Sequence, residues 1–204
     1  ARQLVPFVTQ IAPKGTIVIC PGAQRLAKEM ENEDVPGVGL SSRLPHWWSY
    51  KESSFVLKSL EYVKRNYPVD TNRVVLLGYS MGGYGTWNIG LRYTDRFAGI
   101  VPLAGGISRL ENFLGRDSRS RKLIANGVMV PAWFAHGGAD RTVPTRFSRT
   151  IAKELGEFGA TYFFKEVAGS GHMMRNFLRG NELTEQLVGW LGEQVRDPNP
   201  KRVY

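Results

Sequence analysis

Apolar and polar positions along the chain change period repeatedly, from a helical spacing to short unbroken apolar runs and back. In "RQLVPFVTQIA" (2–12) the residues Leu4, Phe7, Val8 and Ile11 fall on one helical face before "PKG" closes the element, which predicts an amphipathic helix. "TIVIC" (16–20) is a β-branched run that ends at Pro21-Gly22, the pattern of a strand buried on both faces. Residues 21–49 hold no steady period and contain three prolines and three glycines, which reads as a long irregular excursion ending in "LPHWWSY". Helical spacing returns at Phe55, Leu57, Leu60, Tyr62 and Val63 in "KESSFVLKSLEYVKRNY" (51–67), which stops before Pro68. Further strands are predicted at 73–78, 97–106, 127–138 and 161–167, and further helices at 81–93, 143–159 and 182–195. Strands alternating with helices imply an α/β fold, a mostly parallel sheet of about five strands with helices on both faces. In such a sheet the ligand site lies at the carboxyl ends of the strands.

Composition narrows the classes. With 204 residues, 42% of them hydrophobic, the chain can bury the core of one globular domain, expected over 1–195, with 196–204 as a tail or the start of a further segment. Its longest apolar runs, such as Val74–Leu77 and Val128–Ala135, fall far short of the roughly 20 residues of a membrane helix. Residues 1–15 lack the layout of a signal peptide. Cys20 is the only cysteine, which excludes an internal disulfide and a cysteine-based zinc site. The net charge of +9 is spread along the chain, with local excess only at Arg116–Lys122 and Arg196–Arg202, so no nucleic-acid partner is expected. "GRDSRSRK" (115–122) reads as a solvated loop or helix face.

Candidate chemistry sits at three predicted strand ends. Gly78-Tyr79-Ser80-Met81-Gly82 fits G-x-S-x-G between a strand and a helix, the context in which a serine stands on a strained turn as a nucleophile. Side chains two residues to either side are expected to collide with backbone, so Gly78 and Gly82 are both expected to be required, while Gly83 and Gly85 let the helix press on neighbouring strands. A serine needs a base, and the base needs an orienting acid. Among three histidines, His172 lies in the glycine-rich "GSGHM" directly after the last strand and is the expected base. His136 ends the fourth predicted strand and is expected to be buried and structural, and His46 belongs to the loop before Trp47 and Trp48. Asp140, in "HGGADRTVP", is the expected acid, with Asp95 and Asp117 as rivals farther from a clear strand end. The chain order Ser80, Asp140, His172 is that of an α/β-hydrolase triad.

Together "GYSMGGYGTW", "DRFAGIVPLAGG", "PAWFAHGGADRTVP" and "GSGHM" resemble the α/β-hydrolase superfamily over roughly residues 1–195, in its carboxylesterase/phospholipase and feruloyl-esterase or polyhydroxybutyrate-depolymerase-like branch. The resemblance implies a serine esterase acting on a small-molecule or polymer ester, without metal or cofactor. It implies Ser80 as nucleophile, His172 as general base and then acid, Asp140 as its orienter, and the Met81 backbone N–H as one oxyanion donor. Tyr79, Trp47 and Trp48 are expected as pocket wall. It also implies a departure, because "TIVICPGAQ" aligns with a later strand of the family, so the opening strands and the turn that gives the second oxyanion N–H are expected to be absent. Pro21-Gly22-Ala23 is the candidate substitute. The alternatives are a serine peptidase of the prolyl-oligopeptidase type and a hydrolase-like domain that binds without turnover.

Overall fold

The structure, a computed structural model, describes residues 4–21, 50–107, 118–178 and 182–199. Four strands form one parallel sheet in the order β1 (Val75–Tyr79), β2 (Gly99–Leu103), β3 (Ala132–Gly137) and β4 (Tyr162–Val167). Each strand pairs with the next in sequence, from Val75 opposite Gly99 to Gly137 opposite Val167. Helices α1 (Leu4–Ile11), α2 (Tyr50–Asn66), α3 (Met81–Arg92), α4 (Ser118–Ala125), α5 (Arg146–Glu157) and α6 (Glu182–Glu193) accompany the sheet.

The period of two in the strands sorts the core into two layers. Ile100, Ala132 and Phe134 point to one face, where they pack with Leu60 of α2, Trp87 of α3, Ile124 of α4 and Leu155 of α5. Val101, Leu103, Trp133 and Ala135 point to the other, against Ile11 of α1 and Leu183 and Leu187 of α6. Trp87 is fully buried with its ring edge-on to Phe134 at 5.0 Å, and burying such a side chain contributes about 1.5–3 kcal/mol. Helix α3 lies deep, with every residue from Gly83 to Leu91 buried. It is drawn tightly onto β2 at Gly83, where a Cβ would stand 2.5 Å from the Leu103 carbonyl oxygen.

Pro102 sits inside the central strand β2 and has no N–H to give. The bonds on either side of the gap survive, Ile100 N–H to the Pro131 carbonyl at 2.9 Å and Ala104 N–H to the Ala135 carbonyl at 3.1 Å.

Three expectations need correction. Residues 16–20 form no strand: they are irregular, and Ile17 and Ile19 are exposed, because no described strand supplies the ladder partner that an isolated β-branched run requires. The sheet of the described residues thus has four strands rather than about five. The fourth predicted strand begins only at Ala132, after a 3-10 turn at Asn126–Met129, and the helix predicted from 143 begins at Arg146. The helix starts late because Val143 N–H is bonded to Asp140 Oδ1 and Thr145 Oγ1 to the Gly137 carbonyl. Beyond α6, Arg196 ties back to the turn before β1 through its N–H and guanidinium to Asn72, at 2.7 and 2.8 Å.

Candidate active site

The carboxyl ends of β1, β3 and β4 bring Ser80, Asp140 and His172 to one edge of the sheet. Ser80 occupies φ 56°, ψ −115°, a strained conformation for a residue with a side chain. The strain is held by backbone on both sides: Ser80 N–H bonds to the Leu103 carbonyl at 2.9 Å, and the Ser80 carbonyl accepts the first bond of α3 from Tyr84 N–H at 3.1 Å. A Cβ at Gly78 would fall on the Gly82 carbonyl and within 2.5 Å of Thr86 Oγ1, so the turn closes only with glycine there. At Gly82 a Cβ meets nothing within 4 Å, which corrects the expectation that both flanks need glycine. The backbones approach each other at Gly78, but the missing Cβ of Gly82 points into open space.

After β3 the chain turns around the Asp140 carboxylate. Oδ1 accepts Thr142 N–H at 2.8 Å and Val143 N–H at 2.9 Å, and Oδ2 accepts His172 Nδ1–H at 2.6 Å. After β4 the chain returns so close to β3 that a Cβ at Gly137 would strike the carbonyls of Ser170 and Gly171. Ala139 N–H bonds to Ser170 O at 2.8 Å across the same gap. The imidazole of His172 then reaches Ser80, with Nε2 2.8 Å from Oγ. With Nδ1–H given to the carboxylate, Nε2 carries the lone pair and Ser80 Oγ–H is the donor.

The electrostatics suit that tautomer. Burial pushes the Asp140 carboxyl up, but bonds from His172 and from the Val143 and Thr142 amides, with the His172 charge, outweigh it and hold the group below its usual range. The Asp140 side chain is 0% exposed and that of His172 is 18% exposed, so the pair is little screened by water.

His136 is buried, as expected, but it also touches the carboxylate. Its Nε2 lies 2.9 Å from the Val143 carbonyl and 3.2 Å from Asp140 Oδ2, and its Nδ1 lies 2.7 Å from Ser148 Oγ. Burial pulls the imidazole below its ordinary pKa, against the raising effects of Val143 and Asp140. A neutral ring fits these partners with Nε2–H donating and Nδ1 accepting from Ser148. The contact was signalled by the four-residue spacing of His136 and Asp140 in "HGGAD", which is short enough for one tight loop.

Tyr79, expected as pocket wall, donates its hydroxyl to the His172 carbonyl oxygen at 2.6 Å, and its ring lies 5.3 Å from the imidazole. Asp95 is 70% exposed and paired with Arg96, away from the cluster. Trp47, Trp48, His46, Asp117 and the Gly22-Ala23 amides fall outside the described residues. Among the described residues no group of three or more His, Cys, Asp or Glu could hold a metal ion, and no helix is long and apolar enough to cross a membrane.

The model of the phospholipase/carboxylesterase family matches residues 7–178. A bifunctional acetylxylan esterase/xylanase of Neocallimastix patriciarum is 29% identical over 90 residues, which cover 44% of this chain and 12% of that enzyme. The crystal structure of a thermostable esterase superposes with a TM-score of 0.55 at 27% identity, covering 72% of this chain and 37% of that one. An acylaminoacyl peptidase of Pyrococcus horikoshii superposes at 0.61 with 15% identity, covering 79% of this chain and 30% of that one, and shares the fold. The chain thus spans only a fraction of the length of these proteins.

Proposed function

We propose that this chain, which belongs to the phospholipase/carboxylesterase family, is a serine esterase that hydrolyses carboxylic esters through Ser80, His172 and Asp140. The observation that carries this reading is the continuous relay from Ser80 Oγ to His172 Nε2, 2.8 Å, and from His172 Nδ1 to Asp140 Oδ2, 2.6 Å.

Ser80 Oγ attacks the ester carbonyl carbon while its proton passes to His172 Nε2. Asp140 stabilises the imidazolium that forms and keeps the ring in the tautomer that can accept the proton. The negative charge that develops on the carbonyl oxygen faces the Met81 backbone N–H at the start of α3, where the helix dipole also favours an anion. Collapse of the tetrahedral intermediate breaks the bond to the alcohol oxygen, which takes the proton from Nε2 and leaves an acyl group on Ser80. Water then adds to the acyl carbon and gives a proton to His172. The acid departs as that proton returns to Ser80. The substrate is a small-molecule or polymer ester.

A fluorophosphonate probe tests the reading. Labelling of Ser80 that disappears in Ser80→Ala, with turnover of aryl or acyl esters exceeding that of peptide amides, is the expected result. Faster amide than ester turnover would replace the esterase by a peptidase, and an unlabelled, folded chain would replace it by a binding domain.

A further inference from the structure

Tyr79 ends β1 and immediately precedes Ser80, so its backbone is fixed by the same turn. Its side chain is spent on the other partner of the relay. The phenol O–H donates to the His172 main-chain carbonyl at 2.6 Å. The ring is tilted 33° to the imidazole with centroids 5.3 Å apart. The loop is also tethered at Ser170, whose N–H bonds to Val167 O at 3.2 Å and whose hydroxyl bonds to Asn176 O at 3.3 Å. Those tethers fix the start of the loop, whereas Tyr79 acts at the histidine.

We propose that Tyr79 is a positioning residue: its hydroxyl fixes the main chain at His172 and its ring the imidazole plane, which keeps Nε2 aimed at Ser80 Oγ. The inference rests on the esterase reading, with His172 as base. Elbow and base stand 92 residues apart in sequence, and Tyr79 couples them without passing through Asp140. Burial raises the phenol's pKa, the Met174 backbone amide opposes this and the Asp140 charge adds to it, so the hydroxyl keeps its proton and remains a donor.

Tyr79→Phe keeps the ring and deletes one oxygen. The expected result is a fall in kcat of roughly ten- to a hundredfold from a displaced base, with KM changed by less than about twofold. The rate of Ser80 labelling by a fluorophosphonate should fall by the same factor, measured well below the melting transitions of both proteins. A double-mutant cycle separates positioning from general loosening. In the His172→Ala background, Tyr79→Phe should change the residual rate by less than about twofold, because the group it positions is gone. An unchanged kcat and labelling rate in Tyr79→Phe, where the wild-type serine labels, would overturn this inference and leave the esterase reading intact. The same fractional loss with and without His172 would overturn it too. A wild-type Ser80 that does not label would overturn the esterase reading and this inference with it.

Discussion

After β1 the chain reverses through backbone packed on backbone; after β3 it reverses around a carboxylate. The first turn holds Ser80 at φ 56° because a side chain at Gly78 would strike the Gly82 carbonyl and because Leu103 O and Tyr84 N–H fix the peptides on either side. The second holds Asp140 through two amides and two imidazoles, all polar and nearly all out of water. Steric construction places the serine independently of pH and is sensitive to a single added carbon. Polar construction places the Asp140 carboxylate and the His172 imidazole and depends on every partner keeping its protonation state.

The largest effect should come from the polar side. His172→Ala removes the group between Ser80 and Asp140, and kcat on an ester substrate should fall by on the order of 10⁴ to 10⁶. Thermal unfolding should change little, because the ring is partly exposed and Ser170 still ties the loop to Ala139. Steady-state kinetics beside a melting curve check this, and a loss below tenfold would remove His172 from the reaction.

Gly78→Ala should break the steric side. The new methyl has no room, since backbone carbonyl and Thr86 Oγ1 both occupy its place, and overpacking of this kind costs roughly 3 kcal/mol. A drop in melting temperature of about 6–12 °C is the expected reading for a chain of this size. A change under 2 °C, on the order of 0.5 kcal/mol, would mean that the turn opens easily and that Ser80 is not under steric control.

The polar side should also carry a pH signature that the steric side lacks. His136 is held neutral in the fold by burial, so its pKa there is below the ordinary 6.5. As pH falls below about 6.5 the unfolded chain binds a proton that the folded ring refuses, and stability drops by up to about 1.4 kcal/mol per pH unit. Asp140 also has a lowered pKa, so its contribution is complete above its ordinary value of 3.8 and is lost only below it. Urea unfolding at pH 8, 6.5 and 5 should therefore show the decline begin at the histidine step. His136→Phe should flatten that step while lowering stability by about 1–3 kcal/mol at pH 8, where Ser148 and Val143 lose their partner. An undiminished slope in His136→Phe would assign the pH dependence to another group.

These contrasts explain what could be read from the sequence. The four paired strands and their helices were readable because burial on both faces makes "GIVPL" and "AWFAHG" unbroken apolar runs and imposes a helical period on "RFSRTIAKELGE". "TIVIC" carries the same local signal but has no ladder partner among the described residues, and pairing is not a local property. Ser80 was legible as a candidate because a strained turn leaves glycine in the sequence, and His172 and Asp140 because each follows a strand end, and the fold brings the three side chains together. The contact of His136 with Asp140 Oδ2 is marked only by their four-residue spacing, and that of Tyr79 with the His172 carbonyl has no signature in the sequence. A buried histidine or a tyrosine before the serine fits simple packing equally well, and only the fold shows where the polar atoms point.

The smallest expected effect sharpens the steric half of the comparison. The pattern G-x-S-x-G treats its two glycines alike, yet their surroundings differ: Gly78 is enclosed and Gly82 faces open space. Gly82 lies in the first turn of α3, where alanine is favoured over glycine by up to about 1 kcal/mol. Gly82→Ala should therefore leave the fold intact and raise the melting temperature by about 1–4 °C, opposite in sign to Gly78→Ala. A melting temperature lowered by 5 °C or more would show that the turn needs both glycines and that the space beside Gly82 closes in solution. With the expected sign, the requirement for glycine at this elbow is one-sided, set by where the carbonyl of residue 82 meets the missing Cβ of residue 78.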